Sequence, residues 1–221
     1  MADPKSTTPH LEKYYSKRAG EYEKVYDKPE RQAELAWLRS HVEAFARGRR
    51  VLEVACGTGY WTAELARSAE SVLATDVGEE VLAVARARGL DGRVAFARAD
   101  AFSLNALFGR FDAAFAGFWW SHVRRADLPR FLSGLHARLE RPARVLLMDN
   151  RYVEGSSTPL SRSDEEGDTY QQRRLADGTT HEVRKNFPSA DEVRRALEAA
   201  GAIASEVGET THFWHASYHL A

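Results

Sequence analysis

The sequence predicts an α/β fold, a doubly wound and largely parallel sheet with helices on both faces. Three observations carry that expectation. Residues 51–54 form a short apolar run between Arg49-Arg50 and a glycine turn, which reads as a strand buried on both faces. The turn Gly57-Thr58-Gly59 opens into a segment with Trp61 and Leu65 at core-facing helical spacing. Further apolar strands at 71–76, 93–99 and 111–117 recur after helical stretches, the alternation that builds a parallel sheet.

The composition suits one decorated domain spanning 1–221, large enough for a proper core. Thirty-one Lys and Arg stand against 32 acids, a formal charge of −1, so no global field recruits nucleic acid. The single cysteine, Cys56, excludes an internal disulfide and any multi-cysteine metal site, and no metal is expected. No apolar run approaches ~18 residues and the first residues include Asp, Pro and Lys, so the expectation is a cytoplasmic protein without membrane attachment. Oligomeric state is left open.

In chain order, residues 1–10 read as a disordered tail with nothing to bury. Tyr15, Ala19 and Tyr22 then recur at helical spacing, either a packing stripe or an aromatic lid. Residues 30–47 form an amphipathic helix with Leu35, Leu38, Val42 and Phe45 on one stripe, ended by Gly48. Segments 11–47 together make an N-terminal helical region, for which packing and a lid both stand as readings.

The glycine turn lacks the third small residue of a dinucleotide fingerprint, since Tyr60-Trp61-Thr62 follows Gly59. It fits acidic-x-Ala-x-Gly-x-Gly instead, with Glu53 on the strand and Ala55 where a first glycine would stand. Asp76 closes the second strand, where a carboxylate can take both hydroxyls of a ribose. A helix over 78–88 leads to the third strand and to Asp100-Ala101-Phe102 at its end.

The fourth strand runs into Phe118-Trp119-Trp120-Ser121-His122, outside the carboxyl ends of the strands, where open α/β sheets bind ligands. Trp119 or Trp120 would wall that site, and His122 would serve as base or hydrogen-bond partner, or simply cap the next segment. A helix over 128–139 and a fifth strand over 144–149 follow. Residues 150–187 break the rhythm and form an insertion, read as a β-hairpin around Asp177-Gly178. A two-residue turn would pair Arg173 with Glu182. A three-residue loop with Gly178 left-handed would pair Arg173 with His181 and put Arg173, His181, Val183 and Lys185 on one face. Both registers remain open. Ser189 and Glu192 make a capping box for a helix through Ala200, and 203–209 with 213–220 complete an antiparallel pair.

With these residues in view, the chain resembles the class I S-adenosylmethionine-dependent methyltransferases over about residues 12–221. The likeness rests on the acidic-x-Ala-x-Gly-x-Gly turn, on Glu53, Asp76 and Asp100 at successive strand ends, and on the two-strand tail. It implies a Rossmann-like, doubly wound seven-stranded sheet with an antiparallel last strand, an N-terminal helical lid and an inserted β-hairpin. It is more closely similar to small-molecule O-methyltransferases acting on phosphonates, through the Tyr leader, Gly57-Thr58-Gly59-Tyr60-Trp61-Thr62, Trp119…His122-Val123 and the late hairpin.

The resemblance implies S-adenosyl-L-methionine as cofactor, held by Tyr15, Arg18, Tyr22, Glu53, Ala55, Gly57, Thr58, Gly59, Trp61, Asp76, Asp100, Ala101 and Trp119. Arg18 would meet the methionine carboxylate, and Asp100 the adenine amino group. It implies a small acidic acceptor gripped by Tyr26, Trp120, His122, Arg173 and Lys185, with His122 the catalytic candidate. The N/D-P-P-Y/F motif of nucleic-acid amino methyltransferases is missing after strand four, which argues against base methylation. Three other readings stand beside this one. They are methylation of a neutral phenol or amine with His122 as base, an NAD-dependent oxidoreductase, and a non-catalytic nucleoside-binding protein.

Overall fold

A computed structural model of the protein describes residues 26–221. The expected tail over 1–10, and Tyr15, Arg18 and Tyr22 of the aromatic leader, lie outside the described residues. The first described helix is α1 (Gln32–Ala46), preceded by a short 3₁₀ turn at Pro29–Arg31. It buries the predicted stripe of Leu35, Leu38, Val42 and Phe45.

From there strand and helix alternate as β1 (Arg50–Val54), α2 (Tyr60–Ala66), β2 (Ser71–Asp76), α3 (Glu79–Arg86), β3 (Val94–Arg98) and β4 (Phe111–Gly117). A 3₁₀ turn at Trp120–His122 leads to α4 (Leu128–His136) and β5 (Leu139–Asn150). The insertion holds β6 (Leu160–Ser163), β7 (Thr169–Arg174) and β8 (Thr180–Arg184). The chain finishes with α5 (Ala190–Ala199), β9 (Ile203–Glu209) and β10 (Phe213–Leu220).

Seven strands form one sheet in the order β3-β2-β1-β4-β5-β10-β9. The first five pair in parallel and β10 runs antiparallel to both neighbours. The pleat sorts side chains by period two. Val51, Ala113, Phe115, Leu146 and Met148 face α1 and α2 in one core. Leu52, Val54, Ala114, Ala116, Val145 and Leu147 face α4 and α5 in the other. Each fully buried Leu or Val contributes about 1.5–3 kcal/mol, so both faces of the central strands hold the sheet between two helical layers. The apolar runs lacked alternation for this reason.

The sheet reverses its winding between β1 and β4, and that is where a doubly wound fold opens a crevice. The glycine turn after β1 and the segment after β4 therefore stand side by side. Among the described residues no helix is long and apolar enough to cross a membrane.

Two segments differ from the sequence expectation. Strand β5 starts at Leu139 rather than Arg144, because Leu139 pairs with Phe111 ahead of a register shift. The polar Glu140-Arg141 hides this start, and α4 correspondingly ends at His136. The insertion is a three-stranded sheet, β6-β7-β8, rather than a hairpin alone. All four residues of β6 are exposed, so no alternation marked it as a strand.

The open register is the three-residue one. Arg173 pairs with His181, Leu175 N–H donates to the Thr179 carbonyl at 2.9 Å, and Gly178 takes φ +82°. One face of the small sheet presents Gln171, Arg173 and Leu175 beside His181 and Val183, and Leu175 and Val183 pack against Trp119. A buried ion pair lies within the insertion, and its carboxylate also ties the insertion to the segment before α4. Asp168 lies 3.0 Å from Arg184 and also accepts from Arg125 N–H and the Asn186 amide.

Candidate active site

At the end of β1 the backbone leaves the strand through a run of left-handed residues, Ala55 (φ +56°), Gly57 (φ +56°) and Gly59 (φ +81°). Glycine adopts this conformation freely, whereas an L side chain is strained there by about 1–2 kcal/mol. Ala55, where a first glycine would stand, keeps the left-handed geometry, held because Cys56 N–H bonds Thr75 O at 2.9 Å and Gly59 N–H bonds Cys56 O at 3.0 Å. Gly59 also lets α3 approach, since a Cβ there would stand 3.1 Å from that of Ala85.

The three acids stand at three strand ends. Asp76 accepts Gly57 N–H and Gly78 N–H, each at 2.9 Å, one on each oxygen. It thus ties the glycine turn to β2, and an ionised carboxylate accommodates about four such bonds in all. Asp100 caps its own turn through Phe102 N–H at 2.9 Å, beside the buried Ala101. Glu53 is buried beneath α2, and burial pushes its carboxyl up to about 8, the Thr62 hydroxyl opposing and Asp76 reinforcing that rise. Thr58 is buried in the turn, and its carbonyl accepts Arg88 Nε at 2.5 Å.

Aromatic rings wall the crevice. Tyr26 is buried, stacked on Tyr60 with centroids 4.1 Å apart and edge-on to Trp61 and Phe118. Its hydroxyl accepts Trp61 Nε1–H at 3.1 Å. Phe118, absent from the sequence-derived site, follows β4 at φ +61° and stacks on Trp61. A bulky residue with positive φ stores strain, a feature that clusters at ligand sites. Trp119 packs against Phe102, Phe131 and the insertion. Trp120, expected beside the acceptor, lies in the core edge-on to Trp214.

Beyond the aromatic wall lies a charged cluster. His122 is buried, with Nδ1 2.8 Å from the Arg184 carbonyl. A carbonyl only accepts, so Nδ1 carries the proton and Nε2 is the acceptor nitrogen. Burial, then the Lys185 charge, push the imidazole down to about 3, with Arg173 close enough to add to that effect. Lys185 Nζ donates to Asp149 Oδ1 at 2.9 Å and to Ser121 Oγ at 2.6 Å. Asp149, at the end of β5, is fully buried and also accepts Ser121 N–H at 2.9 Å. Burial opposes its ionisation, but Lys185, His122 and the Ser121 N–H outweigh that and hold the carboxyl below its ordinary value. Arg173 donates to Gln171 Oε1 at 2.6 Å, and His181 Nε2 lies 3.1 Å from Thr179 Oγ1 at the hairpin end.

Three residues of this neighbourhood were not anticipated. Phe118 carried no signal beyond its place after a strand. Asp149 was visible as a strand-terminal acid, the same signal that marked Asp76. Arg31 sits before α1, buried against the end of β5. Among the described residues no group of three or more His, Cys, Asp or Glu is arranged to hold a metal ion.

With the geometry in place, the comparisons with known proteins are specific. A family model described as a methyltransferase domain matches residues 51–141. The chain is similar to the magnesium-protoporphyrin O-methyltransferase of Rhodobacter capsulatus, 34% identical over 94 residues. That match spans 41% of this chain and 41% of the relative, so less than half the relative's length is covered. Two solved structures are similar along nearly the whole chain. The DhpI–SAH complex is 30% identical with a TM-score of 0.75, covering 94% of this chain and 93% of that one. The DhpI–SAM–HEP complex is 28% identical with a TM-score of 0.80, covering 98% and 99%.

Proposed function

The chain belongs to the class I S-adenosylmethionine-dependent methyltransferases, and from that premise we propose that it methylates an oxygen of a small acidic molecule, a phosphonate or carboxylate. Membership removes the nicotinamide-dependent and the non-catalytic readings, because the enzyme class and its S-adenosylmethionine cofactor come with the family. The donor set suits that cofactor. In this reading Asp76 takes the ribose hydroxyls and Asp100 the adenine edge, supported by a turn whose left-handed residues let a ligand approach the backbone. The observation that carries the acidic acceptor is the convergence of Arg173, Lys185 and His122 around the end of β5.

When bound, S-adenosylmethionine supplies a methyl carbon already activated by the adjoining sulfonium. An acceptor oxygen held in line with that carbon would take the methyl group, while the electron pair of the broken carbon–sulfur bond would stay on sulfur and leave a neutral thioether. The protein's part is position, desolvation and charge placement. Arg173 and Lys185 orient the anion through charge-assisted hydrogen bonds. His122, neutral and protonated on Nδ1, offers Nε2 to an acceptor O–H and fixes which oxygen points at the methyl. Tyr26 closes the aromatic wall from the N-terminal side. The small-molecule acceptor follows from the same reading, and neither nucleic acid nor a membrane enters it.

The test is methyl transfer to phosphonates, carboxylates, phenols and amines by the purified protein. Arg173→Ala should raise KM for the acidic acceptor by roughly ten- to hundred-fold while S-adenosylmethionine affinity stays unchanged. Turnover confined to phenols or amines would overturn the proposal. The second reading, His122 as general base for such a substrate, has the tautomer in its favour, and it requires His122→Ala to cost about 10²–10⁴-fold in kcat. A modest loss fits an oriented anion.

A further inference from the structure

Ser121 stands in a bonded seam between two segments that the fold brings together from 64 residues apart. The turn after β4 contributes Ser121, His122 and Val123, and the exit of β8 contributes Arg184, Lys185 and Asn186. Asn186 N–H donates to the Ser121 carbonyl at 2.8 Å. His122 Nδ1 donates to the Arg184 carbonyl at 2.8 Å, and the Asn186 amide to the Val123 carbonyl at 3.0 Å. Asp149 joins from β5, its Oδ2 accepting Ser121 N–H at 2.9 Å.

These bonds fix main chain, and the Lys185 backbone is fixed further by Thr169. Lys185 N–H donates to the Thr169 carbonyl at 2.8 Å, and the Lys185 carbonyl accepts the Thr169 hydroxyl at 2.5 Å. Beyond that root runs a flexible four-carbon stem, which loses conformational entropy when it is ordered. A lysine that meets an anion at one place therefore needs its tip held as well as its root.

Two oxygens hold the tip, and they differ in kind. Asp149 Oδ1, 2.9 Å from Nζ, supplies the counter-charge, but it also accepts Asn150 N–H at 2.7 Å and the Asn150 amide at 3.2 Å. Ser121 Oγ lies closer, 2.6 Å from Nζ. A hydroxyl oxygen accepts without carrying charge, so it directs the ammonium and subtracts nothing from the field an anion would meet. Ser121 and Asp149 are both fully buried, so water does not compete for either bond.

Resting on the acidic-acceptor reading above, we infer that Ser121 is a positioning residue of the acceptor site, acting through Lys185. Its hydroxyl sets the direction of the ammonium and thereby the affinity for an anionic acceptor. Removing that hydroxyl should be felt in acceptor affinity and not in cofactor affinity.

The experiment is nuclear magnetic resonance titration of the full chain, saturated with S-adenosylhomocysteine. The probes are methylphosphonate, followed by its phosphorus signal, and acetate, followed by its methyl signal. Ser121→Ala deletes the hydroxyl and keeps the main-chain bonds to Asp149 and Asn186. It should weaken both anions by roughly three- to tenfold. Ser121→Cys fills the same place with a weak acceptor and should weaken them as Ser121→Ala does, which separates a lost bond from lost packing. The background Asp149→Asn with Lys185→Met removes the ammonium. There Ser121→Ala should change either Kd by less than about twofold. S-adenosylhomocysteine affinity, measured for every variant, should match wild type and verifies folding.

Wild-type anion affinity in Ser121→Ala or Ser121→Cys overturns the inference, as does an equal loss with and without Lys185. Either result leaves the acidic acceptor standing. A wild type that binds neither anion removes the acidic acceptor itself, and the inference with it.

Discussion

Replacing Asp149 by Asn tests whether the Asp149–Lys185 pair is a structural unit of the site. The substitution keeps the side chain's shape and an acceptor for Ser121 N–H, deletes the charge, and puts an amide NH2 where Oδ1 accepts Lys185 Nζ and Asn150 N–H. Lys185 then retains its Ser121 Oγ bond but becomes a buried ammonium without its carboxylate. With Asp149 fully buried and Lys185 94% so, breaking one side of such a pair costs about 3–5 kcal/mol. For a chain of this length ~1 kcal/mol moves Tm by about 2–4 °C, so Asp149→Asn should melt roughly 6–20 °C lower. The double variant Asp149→Asn with Lys185→Met removes both charges and should recover most of that loss, a coupling of ~2 kcal/mol or more in a double-mutant cycle. Urea unfolding followed by circular dichroism, with scanning calorimetry, supplies all four corners. A single-variant cost below ~1 kcal/mol, or a double variant whose loss equals the sum of the two, would refute the argument. The recovered double variant should still bind an acidic acceptor poorly, which separates Lys185's part in binding from its part in folding.

Three other outcomes follow from the geometry. Ala55→Gly relieves a left-handed alanine at some cost in chain entropy and should stabilise by about 0.5–1 kcal/mol; a lower urea midpoint would show that the Cβ packs usefully. Asp76→Ala loses ribose hydrogen bonds and the anchors of Gly57 and Gly78, and should weaken S-adenosylmethionine by about 1–3 kcal/mol in titration calorimetry; unchanged affinity would remove Asp76 from the cofactor site. The two groups should leave a plateau from about 4.3 to about 6.5, with stability falling below it and again as pH rises from about 6.5 to 8. His122 is held down to about 3 in the folded chain and returns to ~6.5 on unfolding, so its contribution is present above ~6.5 and lost as pH falls towards 3. Glu53 is held up to about 8, so its contribution is present at low pH and lost as pH rises from its unfolded value through 8. Urea midpoints measured across pH should lose the acid limb's slope in His122→Gln and the alkaline limb's in Glu53→Gln; slopes identical to wild type would refute the assignments.

What the sequence by itself determined is local. Two-sided burial made β1 to β4 legible as unbroken apolar runs, and the glycine turn declared a ligand-approach loop because few residues tolerate positive φ. Ser189 and Glu192 announced α5, and the structure has both arms of that capping box. Strand-terminal acids marked the ends of β1 to β3, which in this topology meet the crevice.

The tertiary structure decided what depends on distant partners. Asp177-Gly178 admits two hairpin registers, and packing of Leu175 and Val183 on Trp119 selects the one that turns Arg173 inward. Lys185 reads as a cation of the hairpin's basic face, and its burial against Asp149, 36 residues away, appears only when β5 arrives beside it. Arg31 reads as the polar start of an amphipathic helix, and becomes a buried charge only when Asn150, 119 residues on, arrives beside it. Trp119 and Trp120 are indistinguishable as adjacent letters, and the folded chain packs one against the insertion and the other in the core. Periodicity and backbone preference are properties of neighbouring residues, so a linear chain displays them. The burial and pairing of a charge are set by which remote segment removes its water, and that is determined only when the sheet has closed.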